Sequence, residues 1–203
     1  MSISLIEKLF SNDLVYKSDE ELMREFQADQ TLAFNELYSR YKSALYSYFS
    51  RLTSPSIAEE LLQELFIKII QKKNSFQFKS TFKTWIWTIA NNTIIDFWRS
   101  KNHQIQKLTI ELDDQIDDQI NESHFLIDSP EDVLLKKVKN KQLEDCINEL
   151  PEEQKQIVFL HTYSELSHEE ISQITDASIG AIKSALFRAK EKLTQCFKKG
   201  GHL

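Results

Sequence analysis

Apolar residues recur every three or four positions along most of the chain, which is the pattern of amphipathic α-helices. The spacing predicts a short helix over Asp19–Gln27, a long helix over Thr31–Leu52 and a third over Ile57–Gln71. The third helix should turn one apolar face inward, made of Leu61, Leu62, Leu65, Phe66, Ile69 and Ile70. No segment alternates apolar and polar residues as a half-buried strand does. The sequence therefore predicts an all-α fold.

The segment Phe76–Lys101 mixes aromatic and basic residues and divides, on a helical wheel, into three faces. A core stripe contains Phe82, Ile86, Ile89, Ala90, Thr93 and Phe97. A second face, which should pack on a neighbouring helix, contains Trp87, Asn91, Ile94 and Trp98. The third face carries Trp85, Thr88, Asn92 and Arg99. These four offer a stacking ring, hydrogen-bonding groups and a cation, which suits an unpaired nucleotide, although the composition also fits an ordinary buried helix with solvated lysines.

A helix-turn-helix pattern lies near the end of the chain. Ser167 and Glu170 form the spacing of a capping box at the start of a short helix, and Ser178 is placed to cap the next one. In that second helix the inward stripe consists of Ile182, Ala185, Leu186, Ala189, Leu193 and Phe197. The residues that should point outward are Lys183, Ser184, Phe187 and Arg188. Such a face fits the major groove of duplex DNA, and the alternative is a plain helical hairpin with a solvated basic face.

Charge and composition narrow the class of protein. The net charge of the 203-residue chain is −6, yet residues 111–132 hold nine acids and no Lys or Arg, whereas residues 183–199 hold six bases and one acid. An acidic linker over residues 102–130 would keep two anion-binding domains apart, residues 19–101 and 131–203, behind an N-terminal extension of residues 1–18. With only three glycines there is no Gly-rich phosphate loop and no nucleophile elbow. We therefore expect neither an enzyme nor a nucleotide cofactor.

The cysteines and histidines show no metal-binding spacing. Cys146 and Cys196 lie far apart in the sequence, and His161 and His168 have no Cys partner at ligand spacing. We expect reduced thiols, surface histidines and no metal. The chain also lacks a signal-peptide pattern and an apolar run long enough to insert into a membrane. The simplest expectation is a cytoplasmic protein.

Several motifs, in this order, carry a resemblance to a known family. They are Ala33-Phe34 with Leu37-Tyr38 and Tyr41; Ala58 to Glu64 with Phe66; Phe82 with Thr84-Trp85-Ile86, Ile89-Ala90, Asn92, Asp96 and Arg99; and Leu150-Pro151 with Glu170-Ile171, Gly180, Lys183-Ser184 and Arg188-Ala189-Lys190. Over about residues 19–101 and 131–197, the chain resembles a bacterial RNA polymerase sigma factor of the extracytoplasmic-function (ECF) group in the sigma-70 family.

The resemblance implies a role for each surface. Glu60, Gln63 and Glu64, on one face with Ile67, match the motif that docks on core RNA polymerase. Lys79 and Ser80 fall in the loop, and Asn92 on the helix, that capture a flipped base of the melted minus-ten element; the face of Trp85, Thr88 and Arg99 adjoins them. Lys183, Ser184, Phe187 and Arg188 match positions that read the minus-thirty-five duplex. The implied partners are core polymerase, promoter DNA and an anti-sigma factor.

The chain departs from the family pattern at several positions. Phe78 and Lys79 stand where relatives often have Gly and an acid, Ala181-Ile182 replaces Thr-Val, and Ala185 stands where Arg is common. Loss of that cation should weaken or redirect duplex contacts. Two other functions stay open from the residues: a stand-alone helix-turn-helix regulator that binds duplex DNA without polymerase, and a helical adaptor that sequesters a transcription partner without touching DNA.

Overall fold

The computed structural model describes residues 14–108, 143, 145–163 and 166–199, and every regular element in those ranges is helical. The prediction of an all-α fold is confirmed. In chain order the elements are α1 (Asp19–Gln27), α2 (Thr31–Leu52), α3 (Pro55–Lys72), a 3-10 turn (Lys73–Ser75), α4 (Phe82–Leu108), α5 (Glu152–Tyr163), α6 (His168–Thr175) and α7 (Ile179–Lys199). The chain divides into two compact units, the first holding α1 to α4 and the second holding α5, most of α6 and α7. Residues 1–13 of the predicted extension, residues 109–130 of the predicted linker and the predicted domain start at residue 131 lie outside the described residues.

Short-range signals in the sequence set the helix starts. The Ser18 amide donates to Glu21 Oε2 at 2.7 Å, and the Glu21 amide donates to Ser18 Oγ at 3.3 Å, so a capping box begins α1. Helix α3 begins two residues before the predicted start, at Pro55, because proline is well suited to the first helical position. Both α1 and α2 have the predicted bounds.

Aromatic side chains interlock in the core of the first unit. Trp87 meets Tyr48 edge to face at a ring distance of 5.3 Å, and Phe82 meets Tyr41 in the same way at 5.4 Å. The largest fully buried side chains of the chain's described part all lie in this unit: Trp87, Tyr48, Phe49, Phe82, Leu22, Met23, Leu37, Leu45, Leu65, Ile69, Ile86 and Ile94. Burial of Trp87 and Ile94 shows that the second wheel face packs inward, as predicted.

Three residues predicted to face inward are more exposed than expected. On α3 the row Ala58, Leu61, Leu65 and Ile69 is buried, but Ile70 is 47% exposed and Leu62 is half-buried. Phe66, in the same edge row, is covered because Tyr38 reaches it at a ring distance of 4.5 Å. Phe97 of α4 is also only half-buried. In each case the wheel gives the direction of the side chain but not how far the neighbouring helix extends.

Arg40 of α2 binds the first residues that the structure describes. Its guanidinium donates to the carbonyls of Leu14, Val15 and Lys17 at 2.9 to 3.1 Å and pairs with Asp19 at 2.7 Å. The Tyr41 hydroxyl donates to the same Asp19 carboxylate. Burial first, and then the hydrogen bond to Asp19, raise the pKa of Tyr41 well above its ordinary value. This network ties residues 14–19 to the side of α2.

A disulfide joins the two cysteines of the second unit. Cys146, in the helical residues 145–148, is bonded to Cys196 near the end of α7, with 5.8 Å between the two Cα atoms. The expectation of two reduced thiols is therefore wrong. A separation of 50 residues in the sequence gives no signal of such proximity, which arises only when this unit folds.

Candidate nucleic-acid and polymerase interfaces

The polar face of α3 places the predicted polymerase-docking residues in solvent. Glu60, Gln63 and Glu64 are exposed, and Ile67 is 54% exposed. The Glu64 carboxylate pairs with Lys68 at 2.7 Å, and Lys68 Nζ also donates to Thr93 Oγ1 of α4 at 3.2 Å. One acid of the row is thus held in place by a bridge between helices. A docking surface with fixed charges loses less side-chain entropy when a partner binds.

Two apolar side chains that sequence analysis did not assign to this surface lie beside it. Ile70 is 47% exposed one turn beyond Ile67, and Tyr38 is 38% exposed next to Phe66. The spacing of Ile70 had assigned it to the core. Its apolar character was therefore noted, but the side chain was expected on the buried face and not on this surface. The α3 face is therefore more apolar than the sequence predicts.

The loop between α3 and α4 (residues 76–81, the α3–α4 loop) is anchored to α1. The Gln27 side-chain amide donates to the carbonyls of Lys73 and Phe76 at 2.7 and 2.9 Å. Lys73 Nζ donates to the Phe26 carbonyl at 3.2 Å and forms an ion pair with Asp29. At the other end, the Phe82 amide donates to Glu20 Oε1 at 2.8 Å. A loop fixed at both ends presents Lys79 and Ser80, both exposed, in one place.

Aromatic rings surround the same loop. Phe76 is buried at 3% exposure, and its ring lies 4.6 Å from Phe78 and 5.3 Å from Trp85, both of which are half-buried. The Arg24 guanidinium of α1 lies over the Phe78 ring, 4.7 Å from its centroid. Of the seven rings in residues 76–101, Phe76, Phe82 and Trp87 are buried. The other four are half-buried and keep some surface that a base could reach.

The predicted nucleotide face of α4 is a long strip. Its four residues extend from Trp85 to Arg99, 14 residues apart, which corresponds to about 21 Å along a helix. Thr88 turns its hydroxyl to the Thr84 carbonyl at 2.8 Å, while Asn92 is exposed. Arg99 is exposed and lies 3.9 Å from Asp96. Four groups spread over this length are too far apart to surround one nucleotide together. Contact of this face with an unpaired nucleotide stays a prediction.

The helix-turn-helix has the predicted caps. The Ser167 amide donates to Glu170 Oε2 at 2.8 Å, and the Glu170 amide donates to Ser167 Oγ at 3.1 Å. Asp176 ends α6 with φ 56°, in the left-handed conformation that helix ends favour. The Ala181 amide donates to Ser178 Oγ at 3.2 Å at the start of α7. The turn between the two helices is therefore well defined.

On α7 the residues predicted to read duplex DNA all point to solvent. Lys183, Ser184 and Arg188 are exposed, and Phe187 is 63% exposed. The opposite side buries Ile182, Ala185 and Ala189. The rest of the predicted inward stripe, Leu186, Leu193 and Phe197, is half-buried and lines a groove of about 490 Å³ together with Val158 of α5. Over the described residues, α5 covers only part of that stripe.

Neither a metal site nor a membrane span is found in the ranges the structure describes. No group of three metal-ligating side chains occurs there, and the His161 and His168 rings stack on each other at 5.5 Å. None of the described helices is long and apolar enough to cross a bilayer. The candidate binding surfaces among the described residues are the α3 face, the α3–α4 loop with α4, and the α7 face.

Comparison with known proteins identifies the class. Residues 37–104 match the model of sigma-70 region 2, and residues 140–193 match that of sigma-70 region 4. The ECF RNA polymerase sigma-E factor of Haemophilus influenzae is 30% identical over 176 residues, covering 87% of this chain and 93% of that protein. The corresponding sigma-E factor of Escherichia coli K12 is 28% identical, covering 87% and 92%. The chain belongs to the ECF sigma factors of the sigma-70 family.

Solved structures agree on the fold. The sigma factor RpoE of Bartonella quintana, solved with the anti-sigma factor NepR, is 23% identical and covers 81% of this chain and 96% of its own, with a TM-score of 0.66. CnrH, solved with the cytosolic domain of CnrY, is 15% identical and covers 90% and 99%, also with a TM-score of 0.66. The function of this chain is to direct RNA polymerase to promoters, and a stand-alone regulator is not favoured because both sigma regions match.

Proposed function

We propose that the chain divides this work among three surfaces. The domain of residues 19–101 docks on core polymerase through Glu60, Gln63, Glu64 and Ile67. It holds the melted minus-ten strand with Lys79, Ser80, Trp85, Thr88, Asn92 and Arg99. The predicted acidic linker of residues 102–130 follows, and its first seven residues continue α4. The domain of residues 131–203 then reads the minus-thirty-five duplex with Lys183, Ser184, Phe187 and Arg188. The observation that supports this division is that these side chains, apart from the half-buried Trp85 and Thr88, are exposed. They lie in the α3–α4 loop or on helices whose opposite faces form the core.

Two weak DNA contacts on one polymerase would reinforce each other. Linking two modules makes the second contact intramolecular and raises its effective concentration. The strip on α4 suits an unpaired strand because rings stack on bases while cations neutralise phosphates. The exposed cations of α7 suit a duplex, where Lys and Arg meet phosphates and base edges. The chain itself performs no catalysis in this scheme.

The proposed docking surface is tested with Gln63→Ala and Glu64→Ala combined. The variant should lose most binding to core polymerase and most promoter-dependent run-off transcription while its thermal midpoint stays close to that of the wild type. Ser43→Ala, at an exposed position of α2, is the matched control and should behave as the wild type. Unchanged polymerase binding and transcription by the double variant would reject this surface.

Regulation and location follow from the same proposal. A protein that covered either DNA-binding surface or the α3 face would act as an anti-sigma factor, the kind of partner with which RpoE of Bartonella quintana was solved. A sigma factor works where the chromosome lies, so we expect this chain in the cytoplasm. Co-purification with core polymerase from the soluble fraction is the direct check.

A further inference from the structure

Phe78 occupies an unfavourable backbone conformation in the α3–α4 loop. Its φ is 57°, in the left-handed region that a bulky residue seldom adopts. Such a residue persists only where its surroundings hold it. Its ring contacts the ring of Phe76 at a centroid distance of 4.6 Å, and the Arg24 guanidinium lies over it, 4.7 Å from the ring centroid.

Arg24 belongs to α1, the helix that also anchors the loop through Gln27. The cation therefore connects the ring to a rigid element outside the loop. Phe78 directly precedes Lys79 and Ser80, and its half-buried ring and that of Trp85 both contact the buried Phe76. Two partly exposed rings that contact the same buried ring offer surfaces on which unpaired bases can stack.

We propose that Arg24 is a positioning residue that holds the Phe78 ring against Phe76, and that Phe78 is a specificity-determining residue for the base captured by the α3–α4 loop. This inference rests on the proposed function, because it gives a further part to the surface that holds the minus-ten strand. The ring limits the space beside Lys79 and Ser80, and Arg24 fixes where that limit lies.

The test uses two kinds of variant. Phe78→Gly removes the ring but adopts positive φ readily, so the loop backbone is preserved. Arg24→Ala removes the cation, and Arg24→Lys restores a cation that can lie over the ring. Lys42→Ala is the matched control, because Lys42 Nζ lies 5.6 Å from the ring centroid of Tyr38, in a second cation–ring pair.

Each full-length variant is combined with core polymerase and a promoter library randomised in the minus-ten element. The promoters that are melted are then identified by sequencing. We expect Phe78→Gly to lower discrimination at one base position at least fivefold, with the other positions and the thermal midpoint unchanged. Arg24→Ala should act in the same direction, Arg24→Lys should recover most of the loss, and Lys42→Ala should match the wild type. If Phe78→Gly discriminated between bases as well as the wild-type chain does, the inference would be overturned. Failure of the wild-type chain to open any promoter would instead overturn the proposed function.

A second inference rests on the disulfide. The bond attaches the end of α7 to residues 145–148, and Leu193 and Phe197, on either side of Cys196, line the apolar groove. The same helix carries Lys183, Phe187 and Arg188 about two to four turns before Cys196. Breaking the bond would release one end of the helix that presents the duplex-reading residues.

The two sulfur atoms differ in access. Cys146 is 2% exposed, whereas Cys196 is half-buried. An external dithiol would therefore attack Cys196 Sγ, and Cys146 would leave as a thiolate that takes up a proton. The second thiol of the reductant then displaces Cys196, so the reductant gains a disulfide and this chain two thiols. In the reverse direction, hydrogen peroxide accepts two electrons and two protons from the thiols and becomes two water molecules.

We propose that Cys146 and Cys196 form a reversible thiol–disulfide switch that sets the affinity of the second unit for duplex DNA. The oxidised form, with α7 tethered, is the form that binds. This switch would act whatever promoter the chain reads.

The full chain is tested in its two redox states, prepared with hydrogen peroxide or dithiothreitol and verified by thiol alkylation and mass measurement. The oxidised chain is first used to select duplexes from a random library. The reduced chain should bind these duplexes at least fivefold more weakly, and its affinity should recover on reoxidation. Cys146→Ser combined with Cys196→Ser should bind as the reduced form does in either buffer. Equal affinity in the two states would overturn the switch, as would a bond that dithiothreitol leaves intact in the folded protein or thiols that peroxide does not join.

Discussion

The first unit closes its core with aromatic rings from several helices, whereas the second unit buries mainly aliphatic side chains and adds a disulfide. Trp87, Tyr48, Phe49 and Phe82 are almost inaccessible in the first unit. In the second, Ile171, Ile182, Ala185 and Ala189 are buried, and the groove beside α7 stays open. Small domains bury a smaller share of their surface and more often need a cross-link. The stability of the two units should therefore respond differently to core substitutions and to reduction of the disulfide.

The largest effect is expected from truncating the aromatic core of the first unit. Trp87 is 1% exposed and meets Tyr48 edge to face, so Trp87→Ala should cost about 3–5 kcal/mol of unfolding free energy. Urea unfolding followed by circular dichroism measures the loss, and the transition of the second unit should stay in place. Ser43→Ala, exposed on α2, is the control. A cost below about 1 kcal/mol would show that the ring is not part of a closed core.

The disulfide should matter almost as much, but only to the second unit. Closing a loop of this length removes entropy from the unfolded chain, so replacing both cysteines by serine should cost about 2–4 kcal/mol. Reduction of the wild-type chain should lower the same thermal transition by a similar amount. A shift of the first unit's transition would contradict the assignment of the bond to the second unit alone.

Alkaline pH should weaken the first unit through Tyr41. Its pKa is raised in the folded chain by burial and by the Asp19 hydrogen bond. The stabilisation is therefore fully present below the unfolded pKa of about 10 and is lost as the pH rises through the folded value. Above about pH 10 the unfolding free energy should fall by about 1.4 kcal/mol per pH unit for this one proton.

Tyr41→Phe isolates that contribution. It should cost about 1 kcal/mol at neutral pH, because one hydrogen bond is lost, and should remove this part of the alkaline slope. Urea titrations at several pH values measure both quantities. An alkaline slope equal to that of the wild type would show that Tyr41 keeps its ordinary pKa.

The comparison also shows which features the sequence could predict. Helix starts followed from local signals such as the box of Ser167 with Glu170, and the direction of α7 side chains followed from periodicity. Exposure of Ile70 and Leu193 did not, because it depends on how much of each helix a neighbour covers. Contacts between residues far apart in the sequence were not predicted either.

The bond from Cys146 to Cys196 and the Arg24 contact with Phe78 are two such long-range pairs. Periodicity and capping signals each describe a single helix. Neither signal therefore indicates that two residues 50 positions apart will be in contact. The direction of most side chains on each helix was therefore predictable, and the long-range contacts that hold the helices and the loop in position were not.

The smallest expected effect on stability concerns Gly180 at the start of α7. A Cβ placed there would meet only Ser178 Oγ at 4.0 Å, so the fold leaves room for a side chain. Gly180→Ala should therefore stabilise the second unit by about 0.5–1 kcal/mol, because alanine favours a helix more than glycine does. The reverse change at the next position, Ala181→Gly, should destabilise it by a similar amount, and thermal unfolding measures both.

Duplex binding separates the two possible reasons for a glycine at this position. Contacts by the start of a recognition helix bring its backbone close to DNA, where an added methyl group would interfere. We expect Gly180→Ala to bind duplexes selected by the wild-type chain several-fold more weakly although it is more stable. Ala181→Gly, which removes a methyl group and stays folded, should bind more tightly than Gly180→Ala. If the alanine variant gained stability and kept its affinity, the α7 start would not approach DNA, and recognition would rest on Lys183 to Arg188 further along the helix.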